Sequence, residues 1–232
     1  MFIKSNRRLT RRVPFNLICL LMLFVATAPA AFADELAIWN FNDSDLNVDH
    51  GSGTLISNFN AVNLLFGAGT TNNTRQGDLA GQALSLQGGT GNANNGRNIT
   101  FNVSTAGFSN IVVSFATQGT STGFNNNQFQ YSFEGITFID FGIPYAPATT
   151  FGSIPLVFTL SGITALNNNP NAAFRIIFNG ATSSTGNNRI DNIVVDGAPA
   201  SAESIPEPTT AVLLLSGLSS LYGLRKKRRR VL

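Results

Sequence analysis

The chain has 232 residues and a formal net charge of +3, but the charge sits at its ends: of 15 lysines and arginines, five lie in residues 4–12 and six in 225–230. Only Arg75, Arg97, Arg175 and Arg189 lie between, against 11 acids in 34–204, so that stretch carries 4 − 11 = −7. A lysine-free body without a basic stripe excludes a DNA- or RNA-binding domain, and the only cysteine, Cys19, leaves the body no disulfide, thiol nucleophile or Cys-based zinc site.

In chain order, the first element is an export signal. Lys4, Arg7, Arg8, Arg11 and Arg12 precede the apolar run Val13–Ala26, and Ala31 and Ala33 stand at the −3 and −1 positions of an A-x-A site. This is the charged, apolar and small-residue order of a secretory signal peptide, 1–33, with cleavage after Ala33.

From 34 to 197 the dominant period is two. Ile99, Phe101 and Val103 alternate with polar residues, as do Phe129, Tyr131 and Phe133, and Leu156, Phe158 and Leu160. Such alternation predicts half-buried strands. Further strands are predicted at 36–41, 54–59, 62–66, 83–87, 110–116, 136–141, 173–179 and 190–196, with Gly, Asn and Pro at most junctions. The 27 asparagines and 22 glycines disfavour long helices, and no 3.6-residue period is sustained. The expectation is an all-β fold, one antiparallel β-sandwich, with the 19 phenylalanines largely filling the space between the sheets.

A linker, 198–205, leads to the tail, 206–230. Pro206-Glu207-Pro208 is held extended by its prolines. The apolar stretch 209–224 would span about 24 Å as a helix at 1.5 Å per residue, near the hydrocarbon thickness of a bilayer. Arg225, Lys226, Lys227, Arg228, Arg229 and Arg230 then place that end in the cytoplasm and the body outside. Tripeptide, short transmembrane helix and basic cluster, in this order at the C-terminus, resemble the PEP-CTERM sorting signal of exported bacterial proteins. The resemblance implies recognition by exosortase after passage through the secretion machinery. It also implies a precursor anchored in the inner membrane, and a product on the cell surface or in an extracellular polysaccharide or biofilm matrix.

Phrases of the body, Ala37-Ile-Trp-Asn-Phe-Asn, Tyr131-Ser-Phe-Glu-Gly and Arg189-Ile-Asp-Asn-Ile-Val-Val-Asp-Gly, are similar to jelly-roll, galactose-binding-like sandwiches. That resemblance implies one structural Ca²⁺ between the first and last strands, with Asp43, Asp45 and Asp191 as candidate ligands. No other cofactor is expected.

The remaining candidates come from residue chemistry. Sugars need aromatic faces and amides, and Trp39, Tyr131 and Tyr145 with the Asn-rich loops 92–98, 125–128 and 167–171 supply those types. Tyr131 and Tyr145 are the candidate glycan-binding residues. Glu134 and Asp140 are the only acids in the central strands that could form the carboxylate pair of a glycosidase. His50, the only histidine, has Asp45, Asp49 and Ser52 near it in sequence but no Gly-x-Ser-x-Gly elbow around any serine. No catalytic residue is assigned. The reading is a non-catalytic, exported surface or matrix protein. The alternatives are a secreted glycan-binding module and, behind it, a carbohydrate-active enzyme or an ice-binding protein.

Overall fold

In the computed structural model the described residues are 33–200; the signal peptide, its cleavage site and the sorting signal lie outside them. Among the described residues there are twelve strands, three short 3-10 turns and no α-helix. The strands are β1 (Asp34–Trp39), β2 (His50–Gly51), β3 (Thr54–Ser57), β4 (Leu64–Ala68), β5 (Gln82–Gln87), β6 (Arg97–Asn102), β7 (Phe108–Gly119), β8 (Gln128–Ser132), β9 (Ile139–Asp140), β10 (Leu156–Thr159), β11 (Ala173–Phe178) and β12 (Asn187–Pro199).

They form two antiparallel sheets. The first runs β10-β7-β12-β1-β2, with β5 also on β12 and β4 on β5; the second runs β3-β6-β11-β8-β9. The alternation read from the sequence is the reason. In β6 and β11, Ile99, Phe101, Phe174, Ile176 and Phe178 are fully buried, while Asn98, Asn102, Arg175 and Ile177 between them are only half-buried. From the first sheet, Trp39, Val113, Phe115 and Val195 meet them in one core. Phe129 of β8 stacks on Phe158 of β10 with ring centroids 4.0 Å apart, joining the two sheets. Both sheets and the whole core lie within 34–199, so this stretch is a complete folding unit with its own core.

β12 is the hub. Residues 187–190 pair with β5 and residues 193–197 with β1, end to end along one side, while β7 runs along the other. The register against β7 slips between Asp191 and Val194, and Asn192 takes the left-handed φ of 49°. One extra residue in a strand turns the following side chains to the opposite face. That is why Ile190 and Ile193 both reach the core, and why Asp191 faces outward from the sheet.

Facing outward does not expose Asp191. The segment between β4 and β5, residues 69–81, lies over that side of the first sheet like a strap. Asn73 Nδ2 donates to Ser114 Oγ (3.0 Å) and Asn192 O (2.8 Å), and Asn192 Nδ2 donates to the carbonyls of Thr70 and Asn72. Arg75 pairs with Glu35 (3.4 Å) and Asp196 (3.6 Å). Asn40 Nδ2 donates to Asp78 at 3.1 Å. The strap thus covers the middle of the outer surface of the first sheet; on the outer surface of the second, Ile56 and Asp140 are exposed and Arg175 half-buried, while Thr100, Gln130, Ser132 and Ala173 are buried.

Candidate functional site

The register of the second sheet draws one straight row across all five of its strands: Ile56, Thr100, Arg175, Gln130 and Asp140. Each pairs directly with the next, so all share the outward side. At about 4.8 Å between strands the row is about 19 Å long. A neighbouring row carries Thr54, Asn102, Ala173 and Ser132, and another Asn98, Ile177 and Gln128. The sequence folds this way because the opposite parity, Leu55, Phe101, Phe174 and Phe129, is buried in the core.

The middle of the long row is tied together. Arg175 Nε donates to Gln130 Oε1 (2.7 Å), and Gln130 Nε2 donates to Asp140 Oδ1 (2.6 Å). The Phe138 ring lies over the Arg175 guanidinium at 3.8 Å, close enough for a cation–π contact. Phe138 is itself half-exposed. Burial lowers the pKa of Arg175, and the negative charge of Asp140 opposes that shift. The result is a polar strip with an aromatic ring over its middle and, at one end, Ile56 with 59% of its surface exposed.

None of the aromatic candidates is a free platform. Trp39 is fully buried and packs on Phe101 at 6.0 Å. Tyr131 faces inward, paired with Phe174, and packs edge-on against Phe141. Tyr145 packs on Phe115 and Phe158, and its buried hydroxyl has no hydrogen-bond partner; burial pushes that hydroxyl's pKa up. The same pleat that puts Gln130 outside puts Tyr131 inside. The Asn-rich loops are partly engaged within the protein, although Asn125 and Asn126 are exposed. Asn94 and Asn127 are fully buried, and Asn167, Asn168 and Asn169 hold backbone groups of Asn110, Gly107, Phe133 and Ala165.

The calcium candidates do not form one site. Asp43 Oδ1 accepts from Asp45 N (3.3 Å), and Asp45 accepts from Asn47 N (2.7 Å) and from the Asn47 side chain, so both organise their own turn. Asp191 is fully buried under the strap, where Oδ2 accepts from Thr70 N (2.7 Å) and Oδ1 from Asn192 N (2.9 Å). Its two oxygens accept backbone N–H groups, and the carbonyl oxygens of Ala80 and Gln82 converge with Oδ2 on Gly69. Among the described residues no group of three or more His, Cys, Asp or Glu side chains could hold a metal. Burial pushes Asp191 up to about 7, against the pull of those two hydrogen bonds, with no ion pair beside it. Burial likewise raises Asp49 and Asp196.

Glu134 and Asp140 have separate duties: Glu134 Oε1 accepts from Thr137 N (3.3 Å) within its own turn, while Asp140 holds Gln130. His50 Nε2 lies 3.6 Å from Asp78, an acid far from it in sequence, and among the described residues no hydroxyl bonds to the His50 ring.

Sequence reasoning missed Phe138, Thr100, Arg175 and Gln130. Parity held one signal: Phe138 lies two residues before the outward Asp140, so it shares its face. The alignment of Thr100, Arg175 and Gln130 depends on cross-strand register, which no local pattern carries.

The fold and this face define a two-sheet antiparallel β-sandwich with a strap across its first sheet and a charged row across its second. No protein-family model and no curated protein matches the chain. Among solved structures it is similar to domain 4 of AbnA, an extracellular arabinanase of Geobacillus stearothermophilus, in complex with arabinotriose. The identity is 14% and the TM-score 0.42, over 72% of this chain and 95% of that one. It is also similar to TmCBM27, a carbohydrate-binding module that recognises mannan (10%, 0.41, 72% and 99%). A third is the K2 cleaved adhesin domain of Lys-gingipain (11%, 0.42, 72% and 98%). These are likenesses of sandwich layout; what the chain does has to be argued from its own side chains.

Proposed function

We propose that the body is a non-catalytic carbohydrate-binding sandwich of an exported protein, and that a polysaccharide lies along the outer face of the second sheet. The observation that carries this is the row Thr100–Arg175–Gln130–Asp140 with Phe138 beside it. A sugar chain presents hydroxyls along its edges and C–H groups on its ring faces. Arg175 and Asp140 present charged groups to the first, and the buried Gln130 holds both in place. Phe138 and Ile56 offer apolar surface to the second. Because Gln130 is held from both sides, little side-chain freedom is lost on binding.

Delivery is part of the same proposal. The signal peptide 1–33 sends the chain through the secretion machinery. The tail 206–230 holds the precursor in the inner membrane until exosortase acts near Pro206-Glu207-Pro208, leaving the body at the cell surface or in the matrix. The −7 charge of 34–204 and its polar, lysine-free surface suit a domain working outside the cell.

The test is direct. Residues 34–204, wild type and Phe138→Ala, are titrated with a panel of soluble polysaccharides. Binding by wild type that weakens about tenfold in Phe138→Ala, at unchanged melting temperature, supports the face; that is the scale of one lost aromatic contact, about 1.4 kcal/mol. Binding untouched by Phe138→Ala places the sugar elsewhere, and no binding across the panel removes the reading.

A further inference from the structure

The described body has four arginines, and in three of them at least one terminal nitrogen is held by the protein. Arg75 pairs with Glu35 and Asp196. Arg97 Nη1 donates to Asn58 O, and Arg189 Nη1 to Ala68 O. Arg175 differs: its one hydrogen bond among the described residues is Nε to Gln130 Oε1, and neither Nη1 nor Nη2 has a partner. No carboxylate lies within 4 Å of it.

Its orientation is nevertheless fixed on two sides. Gln130 pins Nε, and the direction of that amide is set in turn by Asp140, which accepts from Nε2. Phe138 stacks on the flat of the guanidinium at 3.8 Å. What remains is the Nη1/Nη2 edge, two parallel N–H groups that match the two oxygens of a carboxylate. Around it lie Thr100, alongside in register, Asn98, Asn102 and Gln128 in the adjoining rows, and one acid, Asp140, whose charge Arg175 feels across Gln130. A half-buried cation has lost part of its hydration, so an anion that meets it gains more than it would at an open surface.

Resting on the carbohydrate-binding reading above, we propose that the ligand is an acidic polysaccharide and that Arg175 takes the carboxylate of one uronic acid residue in a two-pronged contact. Phe138 then contributes positioning of the guanidinium as well as apolar surface. The −7 body gives no general attraction to a polyanion, so recognition is local, one carboxylate at one arginine. That distinguishes this face from a basic patch, which holds polyanions by summed charge.

The experiment titrates residues 34–204 with short oligogalacturonates, with the same oligomers as methyl esters, and with sulfated neutral oligomers of equal length. Wild type should bind the acid at least about tenfold tighter than its ester, in line with the loss of a charge-assisted pair. Arg175→Lys, which keeps the charge but loses the planar fork, and Arg175→Gln should both lose that margin, while melting curves show them folded. Equal binding of acid and ester, or an unaltered preference in Arg175→Gln, overturns the proposal. Equal binding of the sulfated oligomer shows an anion site and overturns the uronate assignment. If neutral glycans bind in a Phe138-dependent way and acids gain nothing, the acidic ligand falls and the carbohydrate reading stands. If no glycan binds, both fall.

Discussion

Asp191 makes the pH dependence of stability run opposite to ordinary acid denaturation. Its carboxylate is fully buried beneath the strap and pushed up to about 7 by burial; in the unfolded chain it returns to about 3.9. Below pH 4 it is protonated in both states and costs nothing. Between pH 4 and 7 the unfolded chain sheds the proton while the folded one keeps it, so stability falls as pH rises, then levels off above 7. About three pH units at about 1.36 kcal/mol each give a loss of about 4 kcal/mol. Burial raises Asp49 and Asp196 as well, so their contributions slope the same way. Asp191→Asn isolates the effect. It removes the charge but leaves one of the two N–H donors, Thr70 N or Asn192 N, facing an amide NH₂, at about 1–3 kcal/mol. The variant should therefore be less stable than wild type at pH 4 by that amount and more stable by about 1–3 kcal/mol at pH 8, the difference of the two terms. The assay is urea unfolding of residues 34–204 in EDTA at five pH values from 4 to 8. Parallel profiles for the two proteins would refute the reasoning. A wild-type slope that disappears on adding millimolar calcium would show a cation holding Asp191 ionised, and would restore it as a metal ligand.

Four further changes test other parts of the chain. Phe129→Ala removes the ring that joins β8 to Phe158 of β10 and should cost about 3–5 kcal/mol, read by urea unfolding. A Cβ on Gly69 would fall 2.2 Å from Ala80 O and 2.5 Å from Asp191 Oδ2, so Gly69→Ala should loosen the strap at about 1–3 kcal/mol, seen as faster proteolysis within 69–81. Tyr145→Phe deletes a buried hydroxyl that has no partner; melting should be unchanged or higher and glycan binding unaltered. Replacing Pro206-Glu207-Pro208 should leave an unprocessed, membrane-held precursor, visible as a larger band in the membrane fraction.

The strands were legible because burial on one side writes itself into every second residue. Ile99 and Phe101 announce β6, and Phe174, Ile176 and Phe178 announce β11, before any partner is known. Boundaries were less so. The predicted strand 136–141 shrinks to Ile139–Asp140, because Gly135 at φ +77 and the turn held by Glu134 keep residues 135–137 out of the sheet. The predicted strand 36–41 stops at Trp39, where the chain turns through Phe41 at φ 56.

Parity tells that a residue is in or out; it does not tell what lies opposite. Trp39 and Tyr131 could be read as exposed aromatics because nothing local says which side of their strands the other sheet covers. Thr100, Arg175, Gln130 and Asp140 come from four strands and became one row only when register set them side by side. Sequence offered Asp191 as a candidate calcium ligand; that it is enclosed follows from a one-residue bulge in β12 and a strap from elsewhere in the chain. Amino-acid order alone determined the fold class, since periodicity and composition are local quantities. Tertiary structure decided the cross-strand row and the buried carboxylate, because both arise from contacts between residues far apart in sequence.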